Sequence, residues 1–130
     1  MIVVDASAAL QAAASRAGLE LLADLDPVAP PLMWSEAFSA LHEAHWRGAA
    51  TRELTDATRS RLLAGPVARR QPARLHLEAW SVADRLGWAR TYDAEYVALA
   101  LLLRCPLLTI DERLRRGAGR VVEIVGPSDL

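Results

Sequence analysis

Apolar positions along the chain fall into two alternating kinds of run. Short runs rich in β-branched residues show little polar alternation, as in Ile2-Val3-Val4 and Leu107-Leu108-Thr109-Ile110. Such runs suit strands buried on both faces of a parallel sheet. Between them lie longer Ala- and Leu-rich stretches with polar residues at helical spacing. The pattern predicts strands at 2–4, 28–33, 107–110 and 121–125, and a poor edge strand at 67–71. It predicts helices at 8–17, 34–46, 51–63, 72–86, 91–104 and 111–116. Turn chemistry sets several of these limits. Ser35 reads as an N-cap and Gly48 as a stop, Gly65-Pro66 ends one helix, Pro72 opens the next, and Gly117 and Gly119 break the last. Strands that alternate with helices imply βαβ crossovers. The expected fold is therefore α/β, a three-layer α/β/α sandwich around a mainly parallel sheet of four to five strands.

Composition narrows the chemistry. The chain has 130 residues, which suits one domain over 1–130, and no repeat or linker divides it. Fifteen Arg face sixteen Asp and Glu, and there is no Lys. A phosphate-binding loop with its Lys is excluded, and so is Schiff-base catalysis. A net charge of −1 provides no global field to attract nucleic acid. The start meets Asp5 without a basic segment, and the most apolar run, 97–103, is far shorter than a bilayer span. With one cysteine, Cys105, no internal disulfide forms. A cytoplasmic protein is expected.

Four acids stand at strand ends and helix starts. Asp5 follows the first strand and Asp111 the fourth, while Glu36 and Asp93 lie in the first turns of two helices. Each alone is explained as a helix cap. Together they are not, because sites in parallel sheets form at the carboxyl ends of strands. Two charges about 4 Å apart repel by about 4 kcal/mol at an effective dielectric of about 20. Without Lys, a converged set must protonate, find Arg, or hold a cation. All-oxygen ligands suit Mg²⁺ or Mn²⁺.

The same residues carry a family resemblance. Ile2-Val3-Val4-Asp5-Ala6-Ser7-Ala8 resembles the opening of a PIN domain. Trp34-Ser35-Glu36-Ala37-Phe38-Ser39-Ala40-Leu41 resembles its second motif, Tyr92-Asp93-Ala94-Glu95-Tyr96-Val97-Ala98-Leu99-Ala100 its third, and Leu107-Leu108-Thr109-Ile110-Asp111-Glu112-Arg113-Leu114 its fourth. Order and spacing span the chain, and the length is that of a VapC-type toxin. The resemblance implies a Mg²⁺- or Mn²⁺-dependent endoribonuclease, a VapB-type antitoxin partner and a homodimer. It implies Asp5, Glu36, Asp93 and Asp111 as the metal-binding and catalytic acids, with Thr109 as a supporting hydroxyl. Ser7 would position Asp5 or a phosphate oxygen. Ser39 departs from the Asn of many members, which implies an altered supporting hydrogen bond.

Phosphodiester hydrolysis needs an activated water and relief of phosphate charge, and a carboxylate-held cation supplies both. Asp5 and Asp93 are the expected direct ligands. Glu36 and Asp111 complete the shell, bind a second ion, or hold metal-bound waters. Arg113 and Arg116 follow Asp111 and are the candidate anchors for substrate phosphates. His42, His45 and His76 fit no zinc spacing and read as surface or packing residues. Two other readings compete. A phosphatase or phosphoacceptor on a similar scaffold needs a nearby Lys, which is missing. An inactive PIN-like binding module would show loss of an acid, and all four are present.

Overall fold

The computed structural model describes residues 1–130. Five parallel strands form one sheet in the order β3-β2-β1-β4-β5. They are β1 (Ile2–Val4), β2 (Pro27–Ala29), β3 (Ala68–Arg69), β4 (Leu107–Leu108) and β5 (Ile124–Val125). Seven α-helices connect and flank them: α1 (Ala6–Ala13), α2 (Arg16–Ala23), α3 (Leu32–Trp46), α4 (Arg52–Ala64), α5 (Leu75–Leu86), α6 (Tyr92–Leu103) and α7 (Glu112–Ala118). β1 is central. Val3 pairs with Val28 on one side and with Leu107 on the other.

This order creates the switch point. The chain leaves β1 toward β2 and β3, then crosses back so that β4 lies against the opposite side of β1. A crevice opens at such a point, at the strands' carboxyl ends. Asp5 leaves β1 there, and Thr109 to Asp111 leave β4 there. The core beneath is apolar, with Val3, Val4, Leu107 and the stretch of α6 from Tyr96 to Ala100 fully buried. α6 is apolar nearly all round because it is wedged between the sheet and α5.

Several limits differ from those the sequence predicts. The expected helix over 8–17 is two helices, because Ser15 accepts a hydrogen bond from Gly18 N at 3.0 Å and caps α2. The turn is tight. A Cβ on Gly18 would lie 2.5 Å from the Ala12 carbonyl oxygen. Gly18→Ala is therefore expected to destabilise the protein by about 1–3 kcal/mol in urea unfolding, the cost of overpacking. The strand expected over 28–33 stops at Ala29, since Pro30 and Pro31 have no N–H to donate. Pro31 instead caps α3, so Ser35 is inside the helix and caps nothing, and Glu36 lies in the second turn. α5 starts at Leu75, after a turn in which Leu75 N bonds to Pro72 O at 3.0 Å. Gly117 does not break α7 but lies within it. The strand expected over 121–125 keeps only two residues, because Val121 and Val122 N–H groups bond back to the Ala118 carbonyl. Cys105 is half-buried and free.

Candidate active site

Asp5 is the most firmly held of the four acids. It caps α1 by accepting from Ala8 N at 2.9 Å, and the same oxygen accepts from the Ser7 hydroxyl at 2.7 Å. Its other oxygen accepts from the Thr109 hydroxyl at 2.5 Å. Thr109 Oγ1 in turn accepts from Asp111 N at 3.0 Å. One buried threonine thus ties the end of β1 to the end of β4. Thr109→Val keeps the shape but leaves Asp5 one donor short and the Asp111 N–H without an acceptor. A loss of about 1–2 kcal/mol in urea unfolding is expected, the usual cost of orphaning a buried polar group.

Asp111 is also a cap. Its Oδ1 accepts from Arg113 N at 2.9 Å, and its Oδ2 stands 3.6 Å from the Arg113 guanidinium. Capping and site membership are therefore not alternatives for Asp5 and Asp111. Glu36 and Asp93 cap nothing. Glu36 accepts from the buried hydroxyl of Tyr96 at 2.5 Å. Asp93, the most exposed of the four, accepts no hydrogen bond and faces the groove between α6 and α7.

The acids act on one another. Burial pushes Asp5 above the ordinary carboxylate range, against the pull of Thr109, Ala8 and Ser7, and the charge of Asp111 adds to the rise. Burial also raises Glu36, with Asp93, Asp5 and Glu95 contributing repulsion. Asp93 is raised by reduced hydration and by Asp111, and Arg113 partly offsets this. Asp5, Glu36 and Asp93 thus each feel at least one other acid of the set, although the four come from separate elements. Tyr96 is pushed upward by burial and then by Glu36, so it remains a donor.

Two neighbours went unassigned from sequence. Tyr96 follows Asp93 by three positions, close to one helical turn, and that spacing was a usable signal. Glu95 is raised by burial and stands 3.8 Å from His76, which therefore lies at the margin of this site. No sequence spacing joins His76 to Glu95, because α5 meets α6 only in the fold. His42 is exposed, and His45 stands 3.2 Å from Arg52, away from the acids. Ser39 is exposed and its side chain forms no hydrogen bond. Of the two arginines, Arg113 lines the groove beside Asp93, and Arg116 does not.

No three Asp, Glu, His or Cys side chains stand close enough together to enclose an ion by themselves. That does not disqualify Mg²⁺, which keeps several waters and is usually held by one or two carboxylates plus substrate phosphates. The donors are all hard oxygens, mutually repelling and short of cations. They fit a hydrated divalent ion and not an all-protein cage.

Comparison with known proteins agrees with this fold. The family model described as the PIN domain matches residues 2–120. Ribonuclease VapC3 of Mycobacterium tuberculosis is 41% identical over 88 residues, which cover 68% of this chain and 62% of VapC3. The figures are the same for the protein of strain CDC 1551 / Oshkosh and that of strain H37Rv. The match thus takes in less than two-thirds of these relatives. Among solved structures, PAE2754 from Pyrobaculum aerophilum matches with a TM-score of 0.68 at 27% identity, covering 89% of this chain and 78% of that one.

Proposed function

The chain belongs to the PIN-domain family, and on that premise we propose that it is a divalent-cation-dependent endoribonuclease, the toxin of a VapBC-type pair. One observation carries the reading. Carboxylates from separate elements repel one another at the carboxyl edge of the sheet: Asp111 acts on Asp5 and Asp93, Asp5 and Asp93 act on Glu36, and Arg113 offsets part of the charge on Asp93. An ordinary surface disperses such charge. The likeness to a protein named Ribonuclease VapC3 supports RNA as substrate and a VapB-type protein as partner. Residues 1–130 act as one domain in this reading, as a homodimer in the cytoplasm. No helix is long and apolar enough to cross a membrane.

Asp5 and Asp93 are the proposed direct ligands of Mg²⁺ or Mn²⁺, and Glu36 and Asp111 hold its waters. The bound ion supplies an acidified water and takes up charge on the phosphoryl oxygens. The chain's own groups do the positioning. Ser7 and Thr109 spend their protons on Asp5, so neither hydroxyl is poised as a nucleophile. Tyr96 fixes one oxygen of Glu36 and leaves the other free. Arg113 is 82% exposed at its side chain and can swing from Asp111 to a phosphate.

The test is cleavage of a mixed RNA pool by the purified chain in EDTA, Mg²⁺ or Mn²⁺. Cutting that appears only with a cation supports the reading. Equal cutting in EDTA sinks the metal assignment. No cutting, together with no Mn²⁺ binding by calorimetry, sinks the nuclease.

A further inference from the structure

The acids occupy only one wall of the groove between α6 and α7. The other walls have a different chemistry. The groove is about 600 Å³, within the range of small-ligand sites, and Glu36 and Asp93 share it with Trp88, Arg90, Tyr92 and Arg113. Two aromatics and two cations thus stand beside the carboxylates that the proposed function uses.

Tyr92, Arg90 and Arg113 are exposed, and Trp88 is partly buried against the core. Tyr92 opens α6 directly before Asp93 and is 55% exposed. Trp88 is held firmly. Its indole lies against Gly117 of α7, where an added Cβ would approach the ring to 3.1 Å. This explains why a glycine is kept inside that helix. Trp88 also lines the groove. Arg90 is exposed and enters no ion pair, so its charge is uncommitted. Arg113 pairs with Asp111 only at 3.6 Å and at high exposure.

An aromatic face beside an unpaired guanidinium matches a base joined to a phosphate. A base inside a duplex has both faces covered and could not reach the ring. We propose that this groove seats one unpaired nucleotide of the substrate strand, next to the bond that is cut. Its base stacks on Tyr92 against the Trp88 edge, and its phosphate rests on Arg90 and Arg113. The cations offset the repulsion that Glu36 and Asp93 exert on the same phosphate. The proposal rests on the nuclease reading for which strand is bound, but its test does not depend on cutting.

The experiment measures binding of a short fluorescein-labelled single-stranded RNA of mixed sequence by anisotropy in EDTA. The same RNA annealed to its complement is the comparison. Tyr92→Ala is expected to weaken single-strand binding by about 5- to 150-fold, the range for losing one base–aromatic stack. Tyr92→Phe keeps the ring and should bind within about twofold of wild type. Arg90→Ala should lower the slope of log K against log salt by about 0.7, the loss of one single-strand phosphate contact. The duplex should bind more weakly than the single strand. Thermal melting checks the variants, and Arg90→Ala keeps the test decisive if Tyr92→Ala does not fold.

Unchanged binding by Tyr92→Ala would overturn the proposal and leave the groove to a protein segment. So would equal affinity for duplex and single strand, or no binding by wild type. The pattern as expected, with no cleavage in Mn²⁺, would uphold the nucleotide seat and sink the nuclease. Cleavage that persists with binding indifferent to Tyr92 would do the reverse.

Discussion

Asp93→Asn is expected to lower RNA cleavage by about a thousandfold or more while the protein melts at or slightly above the wild-type temperature. Losing a group that merely orients a metal ligand costs about 10- to 100-fold, and losing a charged ligand should cost more. Asp93 is the cleanest acid to change. It accepts no hydrogen bond, caps no helix and is the most exposed of the four. Its carboxylate is raised by reduced hydration and by Asp111, so the apo fold loses a repulsion when the charge is removed. Asp5→Asn is less clean, because Thr109 donates to Asp5 and would face an amide. Cleavage by Asp93→Asn at the wild-type rate in Mn²⁺ would remove Asp93 from the site. Lost cleavage with a melting point many degrees lower would mean that the variant reports folding and not chemistry.

Without divalent cation, the protein should melt at a higher temperature at pH 5 than at pH 8. Asp5, Glu36, Asp93 and Glu95 are all raised in the folded state, burial being the main cause for each. The folded protein then holds protons that the unfolded chain has released. Stability therefore falls as pH rises, from the ordinary carboxylate values of 3.8 and 4.5 up through the raised native ones. Below that window all four are protonated in both states and the penalty is absent. Above it the penalty is complete. Asp129 is lowered by the Gly126 N–H and by Arg115 and works in the opposite sense, but it is exposed at the carboxyl terminus. Millimolar Mn²⁺ binds the deprotonated native site, so it should raise the melting point most at pH 8 and flatten the slope. Scanning calorimetry across pH, with EDTA and with Mn²⁺, provides the check. A melting point that climbs with pH in EDTA would show that the acids carry no strain. A slope indifferent to Mn²⁺ would show that they hold no cation.

Legibility differed by the kind of signal. Val3-Val4 and Leu107-Leu108 are recognisable as buried strands because a strand covered on both faces needs no polar residue. α6 is recognisable because its interior is apolar and Pro106 stands two residues past its expected end at Arg104. Helix starts were harder. Ser35 has the chemistry of a cap, yet Pro31 opens α3 first, because the prolines that end β2 are already shaped for a helix start. Ser15 was the better cap signal, lost in an Ala-rich stretch that reads as one helix. Gly117 has the chemistry of a breaker, but the space it leaves is filled by Trp88 from another element.

Local sequence therefore determined the element types and the parallel sheet and singled out four candidate acids, because strand and cap preferences act within a few residues. Only the tertiary structure decided which acids share a field and which neighbours serve them. β1 and β4 are over a hundred residues apart in sequence, and they meet because the crossover places both against the same apolar core. The bond from Tyr96 to Glu36, the pairing of His76 with Glu95, and the placement of Glu36 and Arg113 beside Asp93 follow from that packing. Spacing along a chain says nothing of contacts made across a core. Those contacts exist because burying α6 between the sheet and α5 leaves its first turn at the one edge where the strands end.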